Sequence, residues 1–375
     1  MAAAPDAGTD SMERLYEDLA SRSMGALWRQ HQAGTRPSEP QPPYNPAHWR
    51  WSDIEGFVQR AGELVQPGPD AQRRVVTLNN PSVTPSQSAT HMLSGNVQMV
   101  LPGEIAPSHR HTNAAIRFII RGEGAVTIVD GEPVAMRPGD LVLTPGWCYH
   151  GHVSKASGPV LWMDSLDGPL VVNALKIARY QQYPDELEPA TRPEGDSYGR
   201  YGYGHFRPLW MTESKAISPQ LVYPWDQTER ALHHLAKLET SPFDDVAFEY
   251  TNPTNGGHVL PTIGCNIQMI RPGVHTRAHR HANCVVYHVY RGEGYSVVDG
   301  VRITWRQGDF FALPPWCWHE HANTGTDEAV LFSTTDLPVL ESLSLLEEHE
   351  YAEHGGHQPV VATYEERFGG ARAAS

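Results

Sequence analysis

Two stretches decide the fold: Gly103-Glu104-Ile105-Ala106-Pro107-Ser108-His109-Arg110-His111 and, two short apolar runs later, Gly139-Asp140-Leu141-Val142-Leu143-Thr144-Pro145-Gly146-Trp147-Cys148-Tyr149-His150. Side chains alternate along a strand, so His109 and His111 project from one face. His150 returns on a later strand, after the Gly139-Asp140 turn. Three imidazoles brought together in this way make a metal site. Turn signals at Arg121-Gly122-Glu123-Gly124, Asp130-Gly131 and Pro138-Gly139-Asp140 separate short apolar runs. Turns about every eight to twelve residues describe a β-sandwich or barrel.

The pattern then repeats. Gly273-x5-His279-Arg280-His281 lies 170 residues after its first copy, and Arg291-Gly292-Glu293-Gly294 keeps that offset from Arg121 to Gly124. Asp299-Gly300, Gly308-Asp309, Pro314, Trp316, Cys317 and His319 lie 169 residues after their counterparts. One residue is therefore lost between Gly294 and Asp299. A slip inside a strand inverts the facing of everything beyond it, so a bulge or turn must absorb the loss. His279, His281 and His319 form a possible second metal site, either a structural or second metal or an empty relic.

With 375 residues the chain is long enough for two domains or for one domain built by duplication. Its 33 Gly and 31 Pro, scattered between apolar runs, point to many turns and a β-rich fold. A formal charge of −14 argues against nucleic acid or an anionic membrane as partner. A small anionic substrate needs only a local cluster of Arg. The N-terminus has no basic and apolar leader, and no apolar run approaches the roughly 20 residues that span a bilayer, so the expectation is a cytoplasmic protein without membrane contact. Cys148, Cys265, Cys284 and Cys317 lie far apart with no Cys-x-x-Cys and read as reduced thiols inside the fold.

In chain order, helical spacing runs from Met12 to Trp28, with Asp10 or Ser11 as N-cap and Gly34 as stop. A Pro-rich connector follows from Pro37 to Pro46, then a second helix near Ser52 to Val65. Strands are expected at Arg73 to Leu78 and Val97 to Leu101. Residues 180 to 222 read as an irregular connector, and Trp225 to Leu238 as a helix with Leu232, Leu235 and Leu238 on one side. The resulting domains are an N-terminal helical and extended segment, 1–72, a catalytic barrel, 73–175, a linker with a helix, 176–245, a second barrel, 246–345, and a tail, 346–375.

Gly-x5-His-x-His and Gly-x5-Pro-x4-His resemble the two cupin motifs, and their duplication makes the chain similar to a bicupin, an all-β-dominated pair of double-stranded β-helix (jelly-roll) barrels. Most metal-binding cupins carry a Glu four or five residues after the second His. Here those positions are Ala115 and Ile116, or Val285 and Val286. The three-His pattern, with His109 to Ile119 and Trp162 to Val171, resembles the gentisate 1,2-dioxygenase family, which includes salicylate and 1-hydroxy-2-naphthoate dioxygenases. The resemblance implies Fe(II) and O2. It also implies cleavage of a small aromatic acid between the carboxyl-bearing and adjacent hydroxyl-bearing carbons, gentisate giving maleylpyruvate. It further suggests a homotetramer, for which the long N-terminal segment offers an interface. Independently, three neutral ligands on one face leave up to three positions open, enough for a carboxylate, its ortho hydroxyl and dioxygen. A dianionic chelating substrate would balance the metal's charge.

Arg117 interrupts an apolar strand, where a guanidinium is costly without an anion. It is either an outward salt bridge or a bidentate clamp on the substrate carboxylate, the role the family implies. The repeat is an internal control: Arg117 corresponds to Tyr287 and Asp164 to Ser333, while Gln98 and His152 recur as Gln268 and His321. Residues found only in the first copy are harder to assign to the fold, which places the substrate site in the N-terminal barrel. By resemblance, His152 is an acid/base or hydroxyl partner and Asp164 its orienting carboxylate, both catalytic with Arg117. Gln98 and Arg73 line the pocket beside them, with Arg74 as the alternative to Arg73. Trp147 and Trp316 read as core or pocket wall, and Cys148 and Cys317 as packing. Two departures from the family, Tyr149 for Trp and Gly151 for Asp, are expected to border the pocket and so to bear on the choice of substrate. The rivals are a salicylate, substituted salicylate or 1-hydroxy-2-naphthoate dioxygenase and, in another class, a non-catalytic bicupin that binds a metal or small ligand.

Overall fold

Duplicated turn signals give two copies of one two-layer unit in a computed structural model that describes residues 7–30, 38–66, 73–84 and 88–369. In the first copy a six-stranded sheet runs in spatial order Val222–Tyr223, Leu141–Thr144, Ala115–Arg121, Val160–Leu166, Ser94–Val100, Arg74–Leu78. Its companion is a five-stranded sheet in the order Tyr180–Gln182, Ile105–His111, His150–Ser154, Ala125–Val129, Glu132–Met136. The second copy repeats both layers with six strands each. This is the duplicated jelly roll that the turn spacing predicts.

Strand Ala115–Arg121 shows why the apolar runs lack simple alternation: both of its faces are covered. Ile116 and Phe118 join a core shared with Val286, Phe310 and Phe332 of the second copy, whereas Ile119 joins Val142 and Trp162 inside the first barrel. Phe118 stacks on Phe332 with centroids 4.1 Å apart. Ser165 and Thr334, equivalent positions of the two copies, touch through their hydroxyls at 2.9 Å. Equivalent residues that meet mark a pseudo-two-fold axis between the barrels.

The segments leading into each barrel are exchanged. Strand Ala47–Trp49, which precedes the first barrel, pairs with Phe310–Leu313 of the second, and Val222–Tyr223, which precedes the second, pairs with Leu141–Thr144 of the first. Each is followed by a helix, Trp51–Leu64 and Trp225–Leu235. The Gly-Asp turn seats these helices. Asp309 Oδ1 accepts from Trp51 N at 2.8 Å and Asp140 Oδ1 from Trp225 N at 2.9 Å. Gly139 and Gly308 have φ of 83° and 91°, and a Cβ at either would lie about 2.5 Å or less from a Trp ring carbon. Part of the N-terminal segment thus binds within the chain.

Several expected boundaries shift. The first helix spans Ala7–Ser21, starting before the anticipated caps, and stops where Ser23 turns left-handed at φ 56°. Helix resumes only at Leu27–Gln30, and Gly34 lies outside the described residues. Leu238 is not on the buried stripe of its helix. Lys237 and Leu238 donate to residues three back, which tightens the last turn and leaves Leu238 82% exposed. The stretch from 180 to 222 contributes strand Tyr180–Gln182, which pairs with the His109–His111 edge, and helix Asp196–Tyr201. Glu348–Glu350 covers the His279–His281 edge in the same way. The lost residue is absorbed before its strand. Gly122 and Gly124 are both left-handed in the first copy, only Gly292 is in the second, and Val129↔His150 and Val298↔His319 remain matched pairs.

Candidate metal centre and substrate pocket

His109 and His111 end one strand and His150 begins its neighbour, with His109 directly opposite His150. One ligand atom from each lies within 4.8 Å of the others. Arg110, between them, projects outward over the rings of Trp147 and Tyr149. The Trp147 turn is held left-handed at φ 66° by its N–H on the His111 carbonyl at 2.7 Å, and Trp316 repeats this at φ 68°. The turn thereby fixes the third histidine relative to the first two.

The donors fit a metal. Burial, followed by the positive charges of Arg73, His111 and Arg117, pushes His109 down to about 2. Burial also pushes His111 to about 4, against the pull of its hydrogen bond to Asn113, and takes His150 well below its ordinary value. All three are therefore neutral donors. His111 Nδ1 donates to the Asn113 carbonyl at 2.7 Å and His150 Nδ1 to the Cys148 carbonyl at 3.1 Å, which leaves each Nε2 with a bare lone pair. His109 differs, because Arg73 Nη2 donates to its Nδ1 at 3.1 Å. Binding a metal through His109 Nε2 puts a proton on Nδ1, so Arg73 must then turn away.

Around the triad lies a buried polar set. Arg117 and Asp164 sit opposite each other on adjacent strands, with Nε–Oδ1 at 3.2 Å and both side chains less than 10% exposed. Arg117 also donates to the Thr144 hydroxyl. This overturns one expectation. Asp164 does not orient His152; the sheet register sets it against Arg117. Burial, then the Arg117 charge, lowers the pKa of Arg73 to about 9. Its Nε and Nη1 are buried with no hydrogen-bond partner. Arg74 is spoken for by Glu104, whose carboxylate it grips through Nη1 and Nη2 at 2.5 Å. Of the two arginines, Arg73 is the one with donors left over. The set holds two guanidiniums and one carboxylate, an excess of one positive charge.

The second copy shows which shared residues serve the fold. His321 Nδ1 is hydrogen-bonded to Ser296 Oγ at 2.8 Å, and Gln268 Nε2 donates to the Asp244 carbonyl at 2.8 Å. Their counterparts are unsatisfied: both ring nitrogens of His152 and Gln98 Nε2 are buried without a partner. The Thr127 hydroxyl, in the place of Ser296, is turned to the Gly151 carbonyl. Orphaned buried polar atoms are rare, and at these two shared positions they occur in the copy that also carries Arg117. Opposite Tyr287 in the second copy stands Ser333, where the first has Arg117 and Asp164.

The second triad turns each Nδ1 toward an acceptor. His279 Nδ1 faces Glu348 at 3.0 Å, His281 Nδ1 donates to the Asn283 carbonyl at 2.9 Å, and His319 Nδ1 donates to the Cys317 carbonyl at 3.2 Å. His279 Nε2 and His319 Nε2 lie 2.9 Å apart, in hydrogen-bond contact with each other. Glu348 could not have been anticipated from the motif, since it comes from the tail.

Two anticipated pocket residues face elsewhere. Gly151 lies between His150 and His152, so it points to the opposite side of the strand, where a Cβ would meet Ser108 and Leu187. Tyr149 packs outside against Arg110 and Tyr183. Trp147 is also outside, under Arg110 and Arg179, while Trp316 is buried. All four cysteines are free thiols. No described helix is long and apolar enough to cross a membrane.

A family model described as a cupin domain matches this chain twice, at residues 96–166 and 266–335. The 5-aminosalicylate 1,2-dioxygenase of Comamonas sp is 37% identical over 366 residues, covering 96% of each chain. The gentisate 1,2-dioxygenase of Streptomyces sp is 36% identical over 342 residues, 89% of this chain and 94% of that one. Salicylate 1,2-dioxygenase from Pseudoaminobacter salicylatoxidans, solved as adducts with gentisate, superposes with a TM-score of 0.84 at 30% identity, over 93% of this chain and 95% of that one.

Proposed function

We propose, from the premise that this chain belongs to the family of ring-cleaving aromatic 1,2-dioxygenases of the gentisate and salicylate type, that it cleaves gentisate in an Fe(II)-dependent reaction at the N-terminal triad. The product would be maleylpyruvate, formed by opening the ring between the carboxyl-bearing and adjacent hydroxyl-bearing carbons. One observation carries this reading: Arg73 and Arg117 oppose a single carboxylate, Asp164, beside three neutral imidazoles. A buried excess of positive charge calls for an anion.

His109, His111 and His150 would hold the iron, which when bound supplies Lewis acidity and a path for electrons from ring to dioxygen. The remaining work falls to side chains. Arg117 and Arg73 take the substrate carboxylate, each through charge-assisted hydrogen bonds. His152, neutral because burial and the nearby positive charges push it well below its ordinary value, can accept the proton of the ring hydroxyl. Gln98 Nε2 donates to a ring substituent. Asp164 holds Arg117 in register for the carboxylate, a positioning role. The barrels at 73–175 and 246–345 divide the work, and the second triad is proposed to hold a structural metal.

5-Aminosalicylate is the second reading, favoured by the 37% identity to the Comamonas enzyme. Both substrates carry an electron-donating group para to the hydroxyl, which eases electron loss from the ring. A homotetramer is proposed as the working form, supported by Phe206, Leu209 and Trp210, which are 77%, 92% and 80% exposed on one loop. The test is oxygen uptake after anaerobic Fe(II) loading, with gentisate, 5-aminosalicylate and salicylate. Uptake with either para-substituted acid supports the reading, and none with any ortho-hydroxybenzoate leaves a ligand-binding bicupin instead.

A further inference from the structure

On the outer side of the C-terminal barrel, His275, Glu320 and His357 converge so that one ligand atom of each lies within 4.8 Å of the others. Glu320 lies between His319 and His321 on one strand and therefore faces away from the second triad. His275 bridges to Ala322 of that strand, and His357 follows the short turn His354–Gly356 in the tail. The Glu320 carboxylate is fully buried, while the imidazoles are 35% and 37% exposed. The Gln358 N–H donates to Glu320 at 3.2 Å.

The distances suit an ion better than hydrogen bonds. His275 Nε2 is 3.4 Å from Oε1 and His357 Nδ1 is 3.4 Å from Oε2. That exceeds the roughly 2.7–3.2 Å of an N–H···O bond, and His357 Nδ1 is buried with no hydrogen-bond partner. Ligands about 2.0–2.1 Å from a tetrahedral ion stand about 3.3–3.4 Å from each other.

The repeat again separates fold from function. Ile105 pairs with Val153 where His275 bridges to Ala322, and Gly131 N donates to Glu188 where Gly300 N donates to Gln358. These matches put Ile105, Gly151 and Leu187 in the places of His275, Glu320 and His357. Leu187 indeed packs at Gly151, where a Cβ would come 2.8 Å from its Cδ2. The barrel needs no charge at this spot, because the first copy fills it with apolar groups and a glycine.

We propose that His275, Glu320 and His357 form a third metal site, distinct from both triads, which takes a borderline divalent ion of the Zn(II) class with solvent in its open position. The ion neutralises the buried carboxylate and pins the tail segment carrying His357 to the barrel. The alternative is a buried carboxylate that the two imidazoles merely flank, with no affinity for metal. Zinc binding to the metal-stripped full chain, measured by equilibrium dialysis, separates the two. In the His109→Ala/His279→Ala background, which disables both triads, one equivalent per chain should remain and raise Tm. Adding His357→Ala or His275→Ala, both at half-exposed positions, should abolish that equivalent and the Tm rise while leaving the metal-free Tm in place. Zero zinc in the parent background, or an equivalent that survives either addition, overturns the proposal.

Discussion

Removing one or the other partner of the Arg117–Asp164 pair should have opposite consequences for stability and catalysis. Arg73, Arg117 and Asp164 together carry one excess positive charge. At 3.2 Å and an effective dielectric of 20, the Arg117–Asp164 attraction is at most about 5 kcal/mol. In Arg117→Met that attraction is lost, but so are the burial penalty of one guanidinium and its repulsion of Arg73, and Asp164 keeps Arg73 as counter-charge. The net loss of stability should be about 1–2 kcal/mol. In Asp164→Leu two guanidiniums are left without a carboxylate, and the loss should be about 3–5 kcal/mol. Activity should run the other way for the folded fraction of Arg117→Met. Without a partner for the substrate carboxylate, kcat/KM should fall by about 2–4 kcal/mol, on the order of 30- to 1000-fold. Urea unfolding and initial oxygen-uptake rates of the iron-loaded variants measure both quantities. Greater instability in Arg117→Met than in Asp164→Leu would refute the charge excess, and activity within about threefold of wild type in Arg117→Met would refute the clamp.

Further outcomes are expected elsewhere in the fold. His321→Ala breaks its bond to Ser296, which also accepts from Trp305 Nε1 at 2.9 Å, and should destabilise by about 2–4 kcal/mol with catalysis intact. His152→Ala should cost less stability but lower kcat/KM by about 10²- to 10⁴-fold, as thermal melts and uptake rates will report. Gly139→Ala and Gly308→Ala force a left-handed Ala against a Trp ring and should each lower stability by about 2–4 kcal/mol in denaturant titrations. His258 gives a pH signature. Burial works against its charged form, yet hydrogen bonds to Glu249 and Glu341, the latter at 2.6 Å, hold it above the ordinary value of 6.5. Its contribution is thus present in full below about pH 6.5 and is lost as pH rises through the folded value. Solvent screening keeps it near 1 kcal/mol or less, so His258→Gln should lower Tm at pH 6 and leave it unchanged at pH 9.5.

The duplicated jelly roll and both His triads were legible because turn glycines and ligand histidines sit at fixed offsets along the chain. Contacts between distant strands were not. Asp164 belongs to Arg117 through a register across 47 residues of sequence that no local pattern records. The exchange of Ala47–Trp49 and Val222–Tyr223 between barrels was equally silent, since strands of two or three residues carry no periodicity. The repeat showed that His152 and His321 correspond, but their difference lies in Ser296 against Thr127, one methyl and one rotamer. His357 and Glu348 come from a tail outside both motifs, so their juxtaposition with His275 and His279 needed coordinates. Gly151 and Tyr149 were misplaced at the pocket although strand alternation from His150 already turns position 151 outward.

The claim that ring cleavage belongs to the N-terminal triad is tested most directly by oxygen uptake with gentisate and with 5-aminosalicylate, comparing iron-loaded wild type, His109→Ala and His279→Ala. Uptake should vanish in His109→Ala and persist in His279→Ala at a rate set by the folded fraction. Loss in His279→Ala with retention in His109→Ala would place the chemistry in the other barrel and contradict the assignment.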